Sequence, residues 1–146
     1  MARYQGSDVA FDVPNDWDDK TVVAFSAPPK PGAIAPNVVL TRDKLKPDEK
    51  LEQYCDRTIV DMVKNLAAFQ LLGKDARDVD GTPAFEIRFT WSGSAGKTVL
   101  QRMLIAQTSP RGVLGVNFTC DSAEQKRLEP IADRVFASLK LTPLHP

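Results

Sequence analysis

In Pro83-Ala84-Phe85-Glu86-Ile87-Arg88-Phe89-Thr90-Trp91 apolar and polar residues alternate without a break. On an extended chain Phe85, Ile87, Phe89 and Trp91 fall on one side and Glu86, Arg88 and Thr90 on the other, which predicts a half-buried strand. The flanks repeat the theme. Upstream, Phe69–Val79 is extended and joins through Asp80-Gly81, a pair suited to a type I′ turn, because both of its residues tolerate positive φ. Downstream, Gly93-Ser94-Ala95-Gly96 leads to Lys97–Thr108, and Ser109-Pro110-Arg111-Gly112 leads to Gly112–Cys120. Four extended segments joined by hairpin signals predict an antiparallel meander.

Before the meander the period changes. Leu51, Tyr54, Cys55, Thr58, Ile59, Met62 and Leu66 recur at helical spacing, so one face of a long helix is predicted, starting around Pro47-Asp48 and ending near Leu66–Ala68. Further upstream, Val9–Val13, Thr21–Ser26 and Asn37–Arg42 read as short strands. The Ala27–Pro36 segment, with four prolines, is a loop, since proline cannot donate to a ladder. At the other end Leu128, Ile131, Ala132, Val135, Phe136 and Leu139 predict a second helix, placed from Glu129–Pro130 with Asp121–Arg127 as a turn. The expected fold class is α+β, a mainly antiparallel sheet packed with a long helix and a C-terminal helix. The expected organisation is a single domain over 1–146, with 143–146 as a loose tail.

The 146 residues carry 19 Lys+Arg against 19 Asp+Glu, a formal net charge of zero. That balance argues against a phosphate-neutralising nucleic-acid binder and against a polybasic membrane patch. Asp8, Asp12, Asp16, Asp18 and Asp19 leave no apolar signal segment near the start, and no apolar run approaches the roughly 20 residues that span a bilayer. The expected location is the cytoplasm, without membrane insertion. Cys55 and Cys120 lack CxxC spacing and read as small buried hydrophobes rather than a disulfide or zinc site.

Groups that could carry catalysis are sparse. His145, the one histidine, sits in the proline-rich tail with nothing to orient it. Asp16, Asp18 and Asp19 read as a solvated turn around Trp17. Gly93-Ser94-Ala95-Gly96-Lys97-Thr98 ends like a phosphate-binding loop, but Trp91 stands where the motif needs glycine, and a strand pattern follows where it needs a helix. No catalytic residue, metal site or cofactor is expected, and the chain is not expected to be an enzyme.

Tyr4, Asp12-Val13-Pro14, Trp17 with Asp19, the strand Val22–Phe25, Val39–Arg42 before a long helix, and later Phe85–Trp91 and Leu100–Ile105 together resemble the DcrB-like domain of unknown function. The resemblance covers nearly the whole chain and implies the Mog/PsbP-like α/β sandwich. Among such domains, short members without a lipoprotein signal are similar to the effector-associated (Eag) chaperones of bacterial type VI secretion. The resemblance implies a cytosolic homodimer that shields the apolar N-terminal transmembrane helices of a PAAR-containing effector before export.

Carried over by position, it implies a client-binding groove of Val22, Ala24, Val39, Thr58, Met62 and Leu66, completed from the meander by Leu100 and Arg102. Thr58 and Arg102 depart from the polar amides the family favours there. Ordinary core is the competing reading of each apolar position. For the whole protein it is a non-enzymatic protein-binding module with a different partner.

Overall fold

A computed structural model describes residues 1–141, so Pro143, His145 and the expected tail lie outside the described residues. The meander forms as its turns dictate: β5 (Gln70–Val79), β6 (Thr82–Ser92), β7 (Thr98–Gln107) and β8 (Gly112–Asp121), each antiparallel to the next. Asp80 and Gly81 take φ of 53° and 79°, the double left-handed geometry of a type I′ turn. β3 (Val23–Ser26) and β4 (Asn37–Lys44) extend the sheet beyond β8, giving the order β3-β4-β8-β7-β6-β5. A separate two-stranded hairpin, β1 (Ala2–Gln5) with β2 (Ala10–Val13), precedes them. β1 escapes the pattern reading because Ala2-Arg3-Tyr4-Gln5 has no β-branched residue; its cross-strand partners, with Tyr4 against Phe11 at 5.0 Å, supply what its composition lacks.

The long helix α1 runs Leu51–Asn65. Its start differs from the sequence expectation. Asp48 adopts φ 62° in the preceding turn, and the Gln53 side chain instead accepts the Lys50 N–H at 2.8 Å. The C-terminal helix α2 runs Gln125–Ala137, preceded by a short 3₁₀ turn at Ser122–Glu124 and an Asp121 carboxylate that accepts the Ala123 N–H. Pro130 therefore lies inside the helix rather than at its start. Burying Leu128 requires the earlier turn to be helical, and Lys126, whose carbonyl loses its helical partner at Pro130, is an exposed residue.

The helices cover opposite faces of the sheet, making three layers. Leu51 and Cys55 of α1 pack on Ile87, Phe89, Ile105 and Val113, whereas Leu128, Ala132 and Phe136 of α2 pack on Leu100, Leu104, Val116 and Phe118. Consequently the second face of β6 is also interior. Glu86, expected to be solvated, is 2% exposed, because Arg102 and Arg77 enclose it with ion pairs at 3.2 and 2.8 Å.

Candidate functional site

On the α1 side the helix lies mainly over β6 and β7. The register carries one row of side chains straight across the strands, Ile87–Met103–Asn117–Val39–Ala24. Ile87 is sealed beneath α1, Met103, Asn117 and Val39 are half-buried, and Ala24 is exposed. A trench results, with β-strand floor and one helical wall. Val39 and Thr41 of β4, Asn117 of β8 and Met103 of β7 form the floor, and Tyr54 and Thr58 form the wall, around a cavity of about 180 Å³. A second hollow of about 340 Å³ continues along the helix past Asp61, Met62 and Leu66.

The polar groups around the trench are mostly occupied. Thr58 Oγ1 donates to the Tyr54 carbonyl at 2.9 Å, leaving its hydroxyl only as an acceptor. Tyr54 Oη donates to Asp43 at 2.7 Å. Burial, then that hydrogen bond and the Asp43 charge, push the Tyr54 phenol well above its ordinary value. Burial would raise Asp43, but donation from Tyr54 and from the Lys44 N–H outweighs it and holds the carboxyl below its ordinary value. The pair is thus a fixed phenol–carboxylate, neither group titrating near neutrality. Asn117 Oδ1 is buried with no partner among the described residues, one unpaired acceptor in the floor. Beneath the wall Cys55 is 0% exposed, and burial pushes its thiol up to about 12.

Of the eight positions expected to form a groove, the structure brings together Val39, Thr58, Met62 and Leu66, with Ala24 at the open margin. Val22 precedes β3 and is 62% exposed. Leu100 and Arg102 belong elsewhere: they face α2 on the opposite side of the sheet. Leu100 is core, and Arg102 donates to Glu86 at 3.2 Å and Asp133 at 2.7 Å and lies over the Phe136 ring at 5.1 Å. Burial opposes the Arg102 charge, but the carboxylates outweigh it and raise its pKa. It is a clamp between α2 and the sheet.

The error is one of parity. β7 residues with odd numbers face α1, so Met103 replaces Arg102 in the trench, and the neighbouring amide is Gln101. Gln101 is itself committed, accepting from Trp91 Nε1 at 2.6 Å and donating to Thr119 Oγ1 at 3.0 Å. Met103 and Asn117 were missed for want of a side assignment. Counting register from Ile87 would have found both.

A larger cavity lies on the other face, about 570 Å³ between the 27–36 loop, β4, β8 and the start of α2, walled by Phe25, Ile34, Val38, Phe118 and Leu128. Among the described residues no three His, Cys, Asp or Glu side chains come together to hold a metal, and no helix is long and apolar enough to cross a membrane.

Residues 9–138 match the DcrB family. The chain belongs to that family. Within reach of this DcrB chain is a Pseudomonas aeruginosa protein named Effector EagT6, 23% identical over 130 residues and matched over 89% of both chains. A crystal structure of a P. aeruginosa protein of unknown function, PA94, described as a putative regulator, has TM-score 0.84 and 22% identity, over 99% of both chains. LpqN, described as involved in cell envelope biogenesis of Mycobacterium tuberculosis, has TM-score 0.61 at 20% identity, over 86% of this chain and 87% of its own. Cyanobacterial PsbP from Synechocystis sp. PCC 6803 has TM-score 0.53 at 15% identity, over 97% of this chain and 92% of its own. The DcrB chain thus has the PsbP-like α+β sandwich expected of it.

Proposed function

We propose that the chain is a cytosolic, non-enzymatic chaperone of type VI secretion that holds the apolar N-terminal helices of a PAAR-containing effector, acting as a homodimer. The observation that carries this reading is the one-walled trench, whose half-buried Val39, Met62, Leu66 and Met103 meet beside a helix seated mainly on β6 and β7. α1 has 15 residues, so its wall is about 22 Å long, roughly three-quarters of the about 30 Å that a 20-residue apolar helix spans. A membrane-spanning segment satisfies its own backbone but exposes apolar side chains in water, and such a trench would cover one flank. The sequence relative named as an effector protein supports the secretion context.

The test is capture of a fluorescent apolar 20-residue helical peptide, followed by anisotropy. The expected outcome is saturable binding that competes with an unlabelled apolar helix and not with a polar helix of the same length. Absence of saturable binding would refute the reading.

The larger cavity across the sheet favours one second reading, a binding module for another partner on the α2 face. Ile131→Glu, at a 52% exposed position on its rim, separates the two. Loss of peptide capture in that variant would favour the α2 face, and unchanged capture the trench.

A further inference from the structure

Protein interiors are packed as tightly as organic crystals, so the apolar cavity of about 570 Å³ on the α2 face is a built feature of the fold. The 27–36 loop builds it. Its base is closed where the Ala27 N–H donates to the Pro36 carbonyl at 2.9 Å, and a turn is fixed where the Ala33 N–H donates to the Lys30 carbonyl at 3.1 Å. Pro28, Pro29, Pro31 and Pro36 restrict the backbone between these points. The loop is therefore a stiff wall facing Phe118 and Leu128, not a strap free to collapse onto them, and the site is formed in advance of any ligand. Its volume falls in the range of small-molecule sites, roughly 300–1,000 Å³.

The chemistry of the lining selects the ligand. Ser26 Oγ donates to the Ala27 carbonyl at 3.0 Å, and Asn37 Nδ2 donates to the Ala35 carbonyl at 3.1 Å. Asp121 accepts the Ala123 N–H at 3.0 Å, and Glu124 accepts from Arg127 Nε at 2.8 Å. A peptide backbone or a sugar placed here would give up water around many polar groups and find few partners for them. An alkyl chain has no polar group to strand. The uncommitted groups around the cavity are cationic. Lys30, exposed on the loop, pairs with no carboxylate among the described residues, and Lys97 Nζ stands 3.7 Å from Asp121, too far for a hydrogen bond.

We infer that this cavity binds a single-chain amphiphile with an acidic head, of which a medium-chain fatty acid is the simplest form. The chain lies among Ile34, Val38, Phe118 and Leu128, and the carboxylate meets Lys30 and Lys97. At about 30 Å³ per carbon, the share of one water in the liquid, a chain of about twelve carbons takes about 360 Å³ and fits inside with its head left at the mouth. The cavity shares no lining residue with the trench, so the inference stands independently of the function proposed above.

Titration calorimetry of the full chain with dodecanoate, kept below its critical micelle concentration, should show saturable binding of one molecule per chain. Ala33→Trp fills the cavity from an exposed loop position and should abolish that binding without lowering Tm. Lys30→Glu, also at an exposed position, tests the head: it should weaken dodecanoate about tenfold and leave dodecanol unchanged. Val39→Glu, in the trench, should bind dodecanoate as the wild type does. Absence of saturable binding in the wild type would overturn the inference, as would undiminished dodecanoate binding in Lys30→Glu or in Ala33→Trp. Loss of dodecanoate in Val39→Glu would place the acid in the trench, and loss of helical-peptide capture in Ala33→Trp would give the cavity to a protein partner; either result also overturns it.

Discussion

Val39→Glu puts a charge on the trench floor and distinguishes an accessible surface from a sealed core. Val39 is half-buried, between Ala24 and Asn117 on neighbouring strands, beneath a cavity of about 180 Å³. A water takes roughly 30 Å³ in the liquid, so the cavity holds several around the new carboxylate. Hydrated, the charge costs the fold about 1–2 kcal/mol, mostly the lost valine packing, and lowers Tm by roughly 3–8 °C at this chain length. A sealed site would charge far more, enough to unfold a domain of ordinary stability, about 5–15 kcal/mol. With an apolar helix laid over it the carboxylate loses that water, and a penalty of about 3 kcal/mol or more weakens capture by at least roughly 100-fold. Far-UV circular dichroism melts and peptide anisotropy measure the two quantities on one preparation. An unfolded Val39→Glu protein would refute the accessibility argument, and a folded one with undiminished capture would refute the contact.

Arg102→Met removes the clamp while preserving much of its stem, leaving Glu86 at 2% exposure with Arg77 as its nearest cation. We expect a loss of about 3 kcal/mol in urea melts, and no change in peptide affinity once folded, because Arg102 is on the face opposite the trench. Pro130→Ala restores a helical N–H inside α2 and should raise stability by about 1–2 kcal/mol, read as a Tm increase; a fall would show that proline's rigidity outweighs the missing bond. Asp19 and Asp43 have folded pKa values held below the ordinary 3.8. Their contribution is therefore complete above about pH 4 and is lost as pH falls through the lower folded values, so Tm should be level from pH 7 to 5 and decline below 4. A decline already between pH 7 and 6 would contradict this.

How legible these features were depends on whether a local cue existed. Asp80-Gly81 announces its turn by backbone chemistry alone, and Tyr54, Cys55, Thr58, Met62 and Leu66 announce a helix face by spacing alone. β7 gives no such side cue. Val99, Leu100, Leu104 and Ile105 are all buried, as expected of a strand covered on both faces, so periodicity cannot say which residues look toward α1. Leu100 and Arg102 were misplaced for that reason. Glu86 was hidden by its own polarity: only partners distant in sequence, such as Arg102, make its burial tolerable. The start of α2 was obscured by Pro130, whose local penalty is overridden by the burial of Leu128.

The path of the chain has a kinetic consequence. β5 to β8 pair through successive short turns, but β4 reaches its inner neighbour β8 only after α1 and the entire meander have been made, with Asn37 opposite Thr119. Closing that contact costs far more chain entropy than closing a hairpin. The β3–β4 pair is accordingly the last ladder to dock and the first to detach from the native state. Amide protons of Val39 and Thr41, which pair with β8, should exchange faster than those of Leu104 and Ile105, and equal protection would contradict the order. The outer strands of the trench, β3 and β4, are thus the labile margin of an otherwise tightly knit sheet, able to open without loosening the rest.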